Sequence, residues 1–415
     1  MNKQIRIFCA FLGLAIAVLA CSFFPVGTDA TQTSSPDQVG TAVAMTLQAL
    51  TPELSGPTLE PSAQPSASPS SLLPHIFYYL GTDSAGLTQV FRIERDGITQ
   101  RQLTSEPVNV NDYGVSPADG SIAYVANNQL LFVNADGSGR RMLVDGGPVD
   151  ENNPFLSVIN SPVFSPDGQT LAYGHKGLNL YAVSTGASDL VIENQIDDSN
   201  SNFLFPKELY WPEDYSPDGT KLLITLGYYE GASSAIYYPA SNELVRLKGG
   251  EGALICCGET EWTPDSSSFY AANPSMGMFS SGLWKVDAAT GAVTELIRGD
   301  AGDGNYNLAD EPYLAPDGQL YFFFAAVSSP DGIVMRPPLQ LVRSAPDGVT
   351  DRTVLRPETF ELMNEALWAP DATFVVVAFA PTQEVYQGGQ AEIVYLDGRP
   401  NVVLIAFAQQ MKWGP

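Results

Sequence analysis

The stretch "FSPDGQTLAYG", Phe164–Gly174, decides the fold. Ser165-Pro166-Asp167-Gly168 has the residues of a type I β-turn: Ser at the first corner, Pro setting φ at the second, Gly at the fourth. "TLAYG" then alternates as a half-buried strand does. The turn recurs as "SPADGSIAYV" from Ser116, "SPDGTKLLIT" from Ser216, "TPDSSSFYAA" from Thr263, "APDGQLYFFF" from Ala315 and "APDATFVVVA" from Ala369. Its aspartates, Asp119, Asp167, Asp218, Asp265, Asp317 and Asp371, stand 47 to 54 residues apart.

A second element alternates with the first: strand, polar turn, strand. It occurs seven times, from "QVFRIERDGITQRQLT" (Gln89–Thr104) to "AEIVYLDGRPNVVLI" (Ala391–Ile405). Each full unit is therefore four strands in about 50 residues, the period of a propeller blade. The first hairpin, near "HIFYYLG" (His75–Gly81), lacks an innermost strand. Trp413-Gly414-Pro415 aligns with Trp368-Ala369-Pro370, so the C-terminal strand is expected to supply it. An open ring would leave two unpaired strand edges, and sharing a blade between the termini removes them. The expectation is an all-β, seven-bladed β-propeller over residues 76–415. Six blades is the alternative if the first hairpin only caps the sheet. "FSPDGQTLAYG", "YSPDGTKLLIT" and "LAPDGQLYFFF" resemble the WD-like repeat of TolB-type β-propellers. That resemblance implies fold and leaves function open. The small α/β domain that precedes the propeller in TolB has no counterpart in this sequence.

Composition narrows the function classes. Twenty Lys+Arg oppose 46 Asp+Glu, a formal charge of −26. Such acidity excludes electrostatic docking on nucleic acid or anionic lipid. Two histidines, His75 and His175, leave little for a metal or triad site. Both are expected in exposed structural positions. No G-x-S-x-G elbow, P-loop or dinucleotide fingerprint occurs.

The N-terminus reads as a targeting segment. Lys3 and Arg6 precede an apolar run, Ile7–Ala20, shorter than the ~20 residues that span a bilayer. "VLAC" resembles a bacterial lipobox, which implies removal of residues 1–20 and lipidation of Cys21. Residues 22–75, rich in Ser, Thr, Pro and Gln, cannot bury enough apolar surface to order themselves and read as a tether. The expected location is extracytoplasmic, at the cell envelope, with the membrane reached through the lipid anchor alone. The propeller is expected to act as a monomer.

In a propeller the strand 1–2 and 3–4 turns share one face. Here they are short and uniform, while the connections of the opposite face are long and varied, which is where function gathers on a rigid scaffold. Candidates for a ligand face there are Asp197, Asp198, Tyr210, Trp211, Glu213, Tyr228 and Tyr306. Aromatics beside polar groups suit recognition of an envelope protein or glycan. The alternative is a polysaccharide hydrolase or lyase working through paired carboxylates such as Asp197 and Glu213. No cofactor is expected, apart from a weak calcium candidate: Asp303, Asn305 and Asn307 alternate, with Asp310 beyond. An ordinary Asx-rich turn explains the same residues. Cys256 and Cys257 are adjacent. Their Cα atoms lie ~3.8 Å apart across a trans peptide, below the usual disulfide span, so a vicinal disulfide would be strained; two free thiols and intermolecular pairing are the alternatives.

Overall fold

The computed structural model describes residues 71–197, 204–229, 231–248, 259–275, 280–302, 304–329 and 336–415. Cys21, the tether up to residue 70, Asp198, Cys256, Cys257 and Asp303 lie outside the described residues.

Each recurring turn folds as its sequence demands. Gly168 donates to the Ser165 carbonyl at 2.8 Å, and Asp167 Oδ1 accepts from Ser165 Oγ at 2.6 Å and from the Gln169 amide at 3.0 Å. The chain then reverses at Gly168, whose φ of 68° is open to glycine at little cost. The turn joins strand Asn160–Phe164 to strand Thr170–Gly174, which pair antiparallel. Strands Gly177–Ala182 and Ser188–Glu193 complete the unit.

The same order repeats around the chain. Blade 2 is Val110–Val115, Ile122–Ala126, Gln129–Val133 and Arg141–Asp145; the unit just described is blade 3. Blade 4 is Phe205–Tyr215, Leu222–Tyr228, Gly231–Tyr238 and Glu243–Arg246; blade 5 is Thr260–Trp262, Ser268–Asn273, Gly282–Asp287 and Val293–Arg298. Blade 6 is Asn305–Leu314, Leu320–Ser328, Leu339–Ser344 and Thr353–Phe360. The remaining sheet has seven strands. Its 12-residue strand Val402–Trp413 belongs to two blades. Val402, Val403, Ile405 and Ala408 pair with Gly389–Tyr395 as the outer strand of blade 7, after Met363–Trp368 and Phe374–Phe379. Gln409, Lys412 and Trp413 pair with Phe77–Thr82 as the inner strand of blade 1, which Thr88–Ile93 and Gln100–Gln102 complete. Gly414 then donates to the Ile76 carbonyl at 2.8 Å. Among the described residues, strand pairing groups the strands into units of four or five, with the first and last joined through the C-terminal strand.

The core lies between blades, because both faces of each blade are covered. Middle strands therefore read as continuous apolar runs such as "FVVVAF" (Phe374–Phe379). Val375 and Val377 pack toward blade 6, with Phe323 and Leu341; Phe374 and Val376 pack toward blade 1, with Phe77 and Tyr79. Seven such clusters, one per junction, complete the ring. The packing starts slightly before the expected boundary at residue 76. Leu73 is buried, and its amide donates to the Arg95 carbonyl.

Candidate functional site: an acid-lined central channel

The innermost strands surround a central channel of about 930 Å³. Which side chains enter it follows from position relative to the turn. Four residues before the turn's first residue stand Asp112, Ser161, Pro212, Glu259, Glu311 and Glu365, with Gln410 in the C-terminal strand. Two residues before it stand Asp214 and Glu261, with Lys412 in the C-terminal strand. All these side chains line the channel, together with Glu213. Most inner strands carry a register shift at this point. At Ser161, Glu311 and Gln410 the backbone takes φ of 51°, 50° and 52°. A bulge adds one residue to one strand and re-aims its side chain, which delivers these residues to the axis.

Three of the carboxylates clasp the next blade. Asp112 Oδ2 accepts from the Ser161 amide at 2.8 Å, and Glu311 Oε1 accepts from the Ala366 amide at 2.7 Å. Glu365 accepts from the Met411 amide in the same way. Between blades 1 and 2, Tyr113 donates its hydroxyl to the Gln410 carbonyl at 2.6 Å.

The channel's charge is lopsided, with Lys412 the one cationic side chain among its described lining. Loss of bulk water, reinforced by neighbouring carboxylates, raises the carboxyl pKa of Glu213 to about 7, Glu261 to about 8 and Asp310 to about 8. The same loss of water raises Asp214 to about 6 and Glu365 to about 7, each partly offset by Lys412. Asp112, Glu259 and Glu311 shift upward too, again chiefly through loss of bulk water. Asp214 and Glu259 present exposed surface although protein surrounds them. Solvent access through this surface screens their repulsion. The arrangement can hold protons at neutral pH and repels anions.

The ligand-face candidates scatter. Tyr210 is buried and donates its hydroxyl to Glu208 at 2.5 Å; Tyr228 donates to the same carboxylate at 3.2 Å, and Arg246 grips it through two nitrogens. Blade 2 repeats this cluster with Glu106, Tyr124 and Arg140. These tyrosines are internal braces. Trp211 lies against Gly174 and Gly227, where a Cβ at Gly227 would come within 2.6 Å of the indole. Tyr306 packs on the core between blades 6 and 7. Glu213 reaches the channel and accepts from Thr225. Asp197 pairs with Phe205, eight residues up the strand from Glu213, a separation of roughly 26 Å at 3.3 Å per residue. The two carboxylates do not form one pair.

Asn305 accepts from Ser328 Oγ at 2.6 Å, and Asn307 donates to the Arg298 carbonyl at 2.9 Å. Asp310 lies an odd number of residues from both, so the pleat sends it to the opposite side of the strand. Asp310 is not part of the channel lining but lies close enough to its acids that Glu259 reinforces the rise in pKa caused chiefly by loss of bulk water. Among the described residues, no group of three His, Cys, Asp or Glu side chains is arranged to hold a metal ion. His175 is half-buried in a tight turn, with its amide bonded to the Gly177 carbonyl.

Sequence reading missed Asp112, Glu259, Glu261, Glu311, Glu365 and Lys412 as a set. The signal was present as a fixed offset from the turn that revealed the fold.

No family model and no curated relative matches the chain. Solved structures do. An oligogalacturonate lyase in complex with manganese is 10% identical over 80% of this chain and 85% of its own, with a TM-score of 0.53. A puromycin-hydrolysing peptidase of Mycobacterium tuberculosis is 15% identical over 81% of this chain and 52% of its own, with a TM-score of 0.51. The likeness is of fold, and the fold is the β-propeller. TolB from Acinetobacter baumannii is 17% identical over 79% of each chain, with a TM-score of 0.40. Among the described residues no helix is long and apolar enough to cross a membrane.

Proposed function

We propose that the chain is an envelope lipoprotein, anchored through acylated Cys21 and a tether, whose propeller is a non-catalytic scaffold for an envelope polypeptide or glycan. The observation that carries this reading is the asymmetry of the two faces. On one face the turns are short, and their aspartates are occupied in holding the turn itself. On the other, strands Gln195–Asp197 and Asp300–Gly302 pair with lengthened inner strands and extend blades 4 and 6 beyond the common sheet. Aromatic side chains stand there in contact with water. Tyr229 is 51% exposed and stacks edge-on against Phe205 at 4.8 Å; Tyr386 is 61% exposed beneath the Arg336 guanidinium. Exposed aromatics beside polar groups on a rigid rim are the usual anchors of a recognition surface.

Two measurements test the reading. Cys21→Ala should abolish palmitate labelling and release the protein from the membrane fraction; retention with undiminished labelling would refute the anchor. The immobilised propeller should capture fewer envelope components when Tyr229 and Tyr386 are both changed to Ala, whereas Asp167→Ala on the opposite face should leave capture intact. Unchanged capture by the double variant would remove this rim as the binding face.

A further inference from the structure

The clasps between blades are unevenly distributed. Glu311 and Glu365 each bond an amide three residues before the next blade's turn, Ala366 and Met411. The residue at that place opposite Glu259 is Pro312, which has no N–H to give. The adjacent amide, that of Glu311, is already donated to Asp310 Oδ1 at 3.0 Å. Glu259 therefore faces blade 6 with no backbone donor available at either position. One junction earlier, Pro212 stands where the clasping carboxylate would be.

The sector without clasps is also the most crowded with charge. Blade 4 contributes Glu213 and Asp214, blade 5 Glu259 and Glu261, and blade 6 clasped Glu311, with Asp310 behind the lining. Glu259 interacts unfavourably with Glu213, Asp310, Glu311 and, across the channel, Glu365. Lys412 of blade 1 is its one favourable charge. Asp214 adds repulsion on Glu261, Tyr313 faces Glu261 as a neutral phenol, and Asp112 already clasps blade 3. Among the described residues, Thr260–Trp262 makes three residue pairs with its neighbour, as the inner strand of blade 3 does, where that of blade 6 makes eight.

We propose that the junction of blades 5 and 6 is a proton-operated seam: it closes when Glu259 and its neighbours share protons, and opens locally, by release of strand Thr260–Trp262, when they are ionised. The device stands apart from the rim proposed above as the binding face, and its test does not depend on a ligand. Local opening of a weakly held element is ordinary behaviour for a folded protein, and here charge sets its frequency.

Hydrogen exchange tests it on the full propeller. Protection of the Glu261 amide, the one of strand Thr260–Trp262 that faces its neighbour in the ladder, corrected for intrinsic exchange, should fall about tenfold or more between pH 5.5 and 8.5. Protection across Ile122–Ala126 of blade 2, which reports only the change in overall stability, should fall much less. Glu259→Gln should keep the blade 5 strand protected at pH 8.5. Pro312→Ala should do the same by a different route, since it supplies the missing N–H to an ionised Glu259. Protection at Glu261 that is independent of pH would overturn the proposal. So would an equal loss in blade 2, or a loss that persists in both variants.

Discussion

Two sets of carboxylates, a few residues apart on the same strands and turns, behave in opposite ways. Asp167 and Asp265 sit on the turns. Hydrogen bonds from Ser165 and Gln169 hold Asp167 below the usual carboxylate range, and those from Ser267 and Thr263 hold Asp265 at about 2. Five residues before Asp218, Glu213 sits in the channel at about 7; four before Asp265, Glu261 is at about 8. Residue type does not explain the difference. The turn groups accept several donors in open solvent, whereas the channel groups lose bulk water and face one another. Glu208 supplies the control. It is buried, yet its pKa is lowered, because Arg246, Tyr210 and Tyr228 outweigh the loss of water. Pairing, rather than burial, separates the two behaviours.

Linkage gives each set its own pH window. The channel carboxyls have folded pKa values above their unfolded ones. Their contribution to stability is complete below the unfolded value near 4.5 and is lost as pH rises through about 6 to 8. The turn aspartates Asp119, Asp167, Asp218 and Asp265 have lowered folded values. Their contribution is present above pH ~4 and is lost as pH falls toward about 2. The melting temperature should therefore be highest near pH 5.

The largest expected effect comes from turning Glu208 into a channel-type acid. Arg246→Ala strips a carboxylate of its partner inside the protein, which costs about 2–3 kcal/mol once the half-exposed arginine is discounted. Urea unfolding at pH 7 measures it. The loss should shrink at pH 5, where Glu208 without its arginine takes up a proton; a loss equal at both pH values would break the comparison.

How much of this was legible in the sequence divides along the same line. The turn aspartates announced themselves through Pro and Gly neighbours at fixed spacing, since a turn's chemistry is local. The ring, its closure by Trp413 and the two unlike faces followed from counting those turns. Glu259, Glu311 and Glu365 went unread because what makes them a site is their convergence from three blades, and convergence has no local signature. Tyr210, Trp211 and Tyr228 misled for a related reason. Aromatics near long loops suggest a surface, and only tertiary structure reveals Glu208 and Gly227 waiting beneath them.

Glu261→Gln carries the next largest effect. Removing a charge whose neighbours oppose it should stabilise the propeller by about 1 kcal/mol at pH 8.5, after allowance for lumen water, and by nothing measurable at pH 5. Stabilisation equal at both pH values would mean that the carboxyl is not held protonated by the channel. Smallest is Asp167→Ala, which removes two hydrogen bonds from one of six similar turns. A loss of about 0.5–1 kcal/mol at pH 7, fading below pH 3, is expected from unfolding curves.

The most direct measurement is a carboxyl-carbon NMR titration of the propeller labelled with ¹³C at the Asp and Glu side chains. The account predicts two separated populations: the turn aspartates Asp119, Asp167, Asp218 and Asp265 titrating below the usual carboxylate range, and a channel group, assigned through Glu213→Gln and Glu261→Gln, titrating above about 6. A single population between about 3.5 and 4.5 would contradict it.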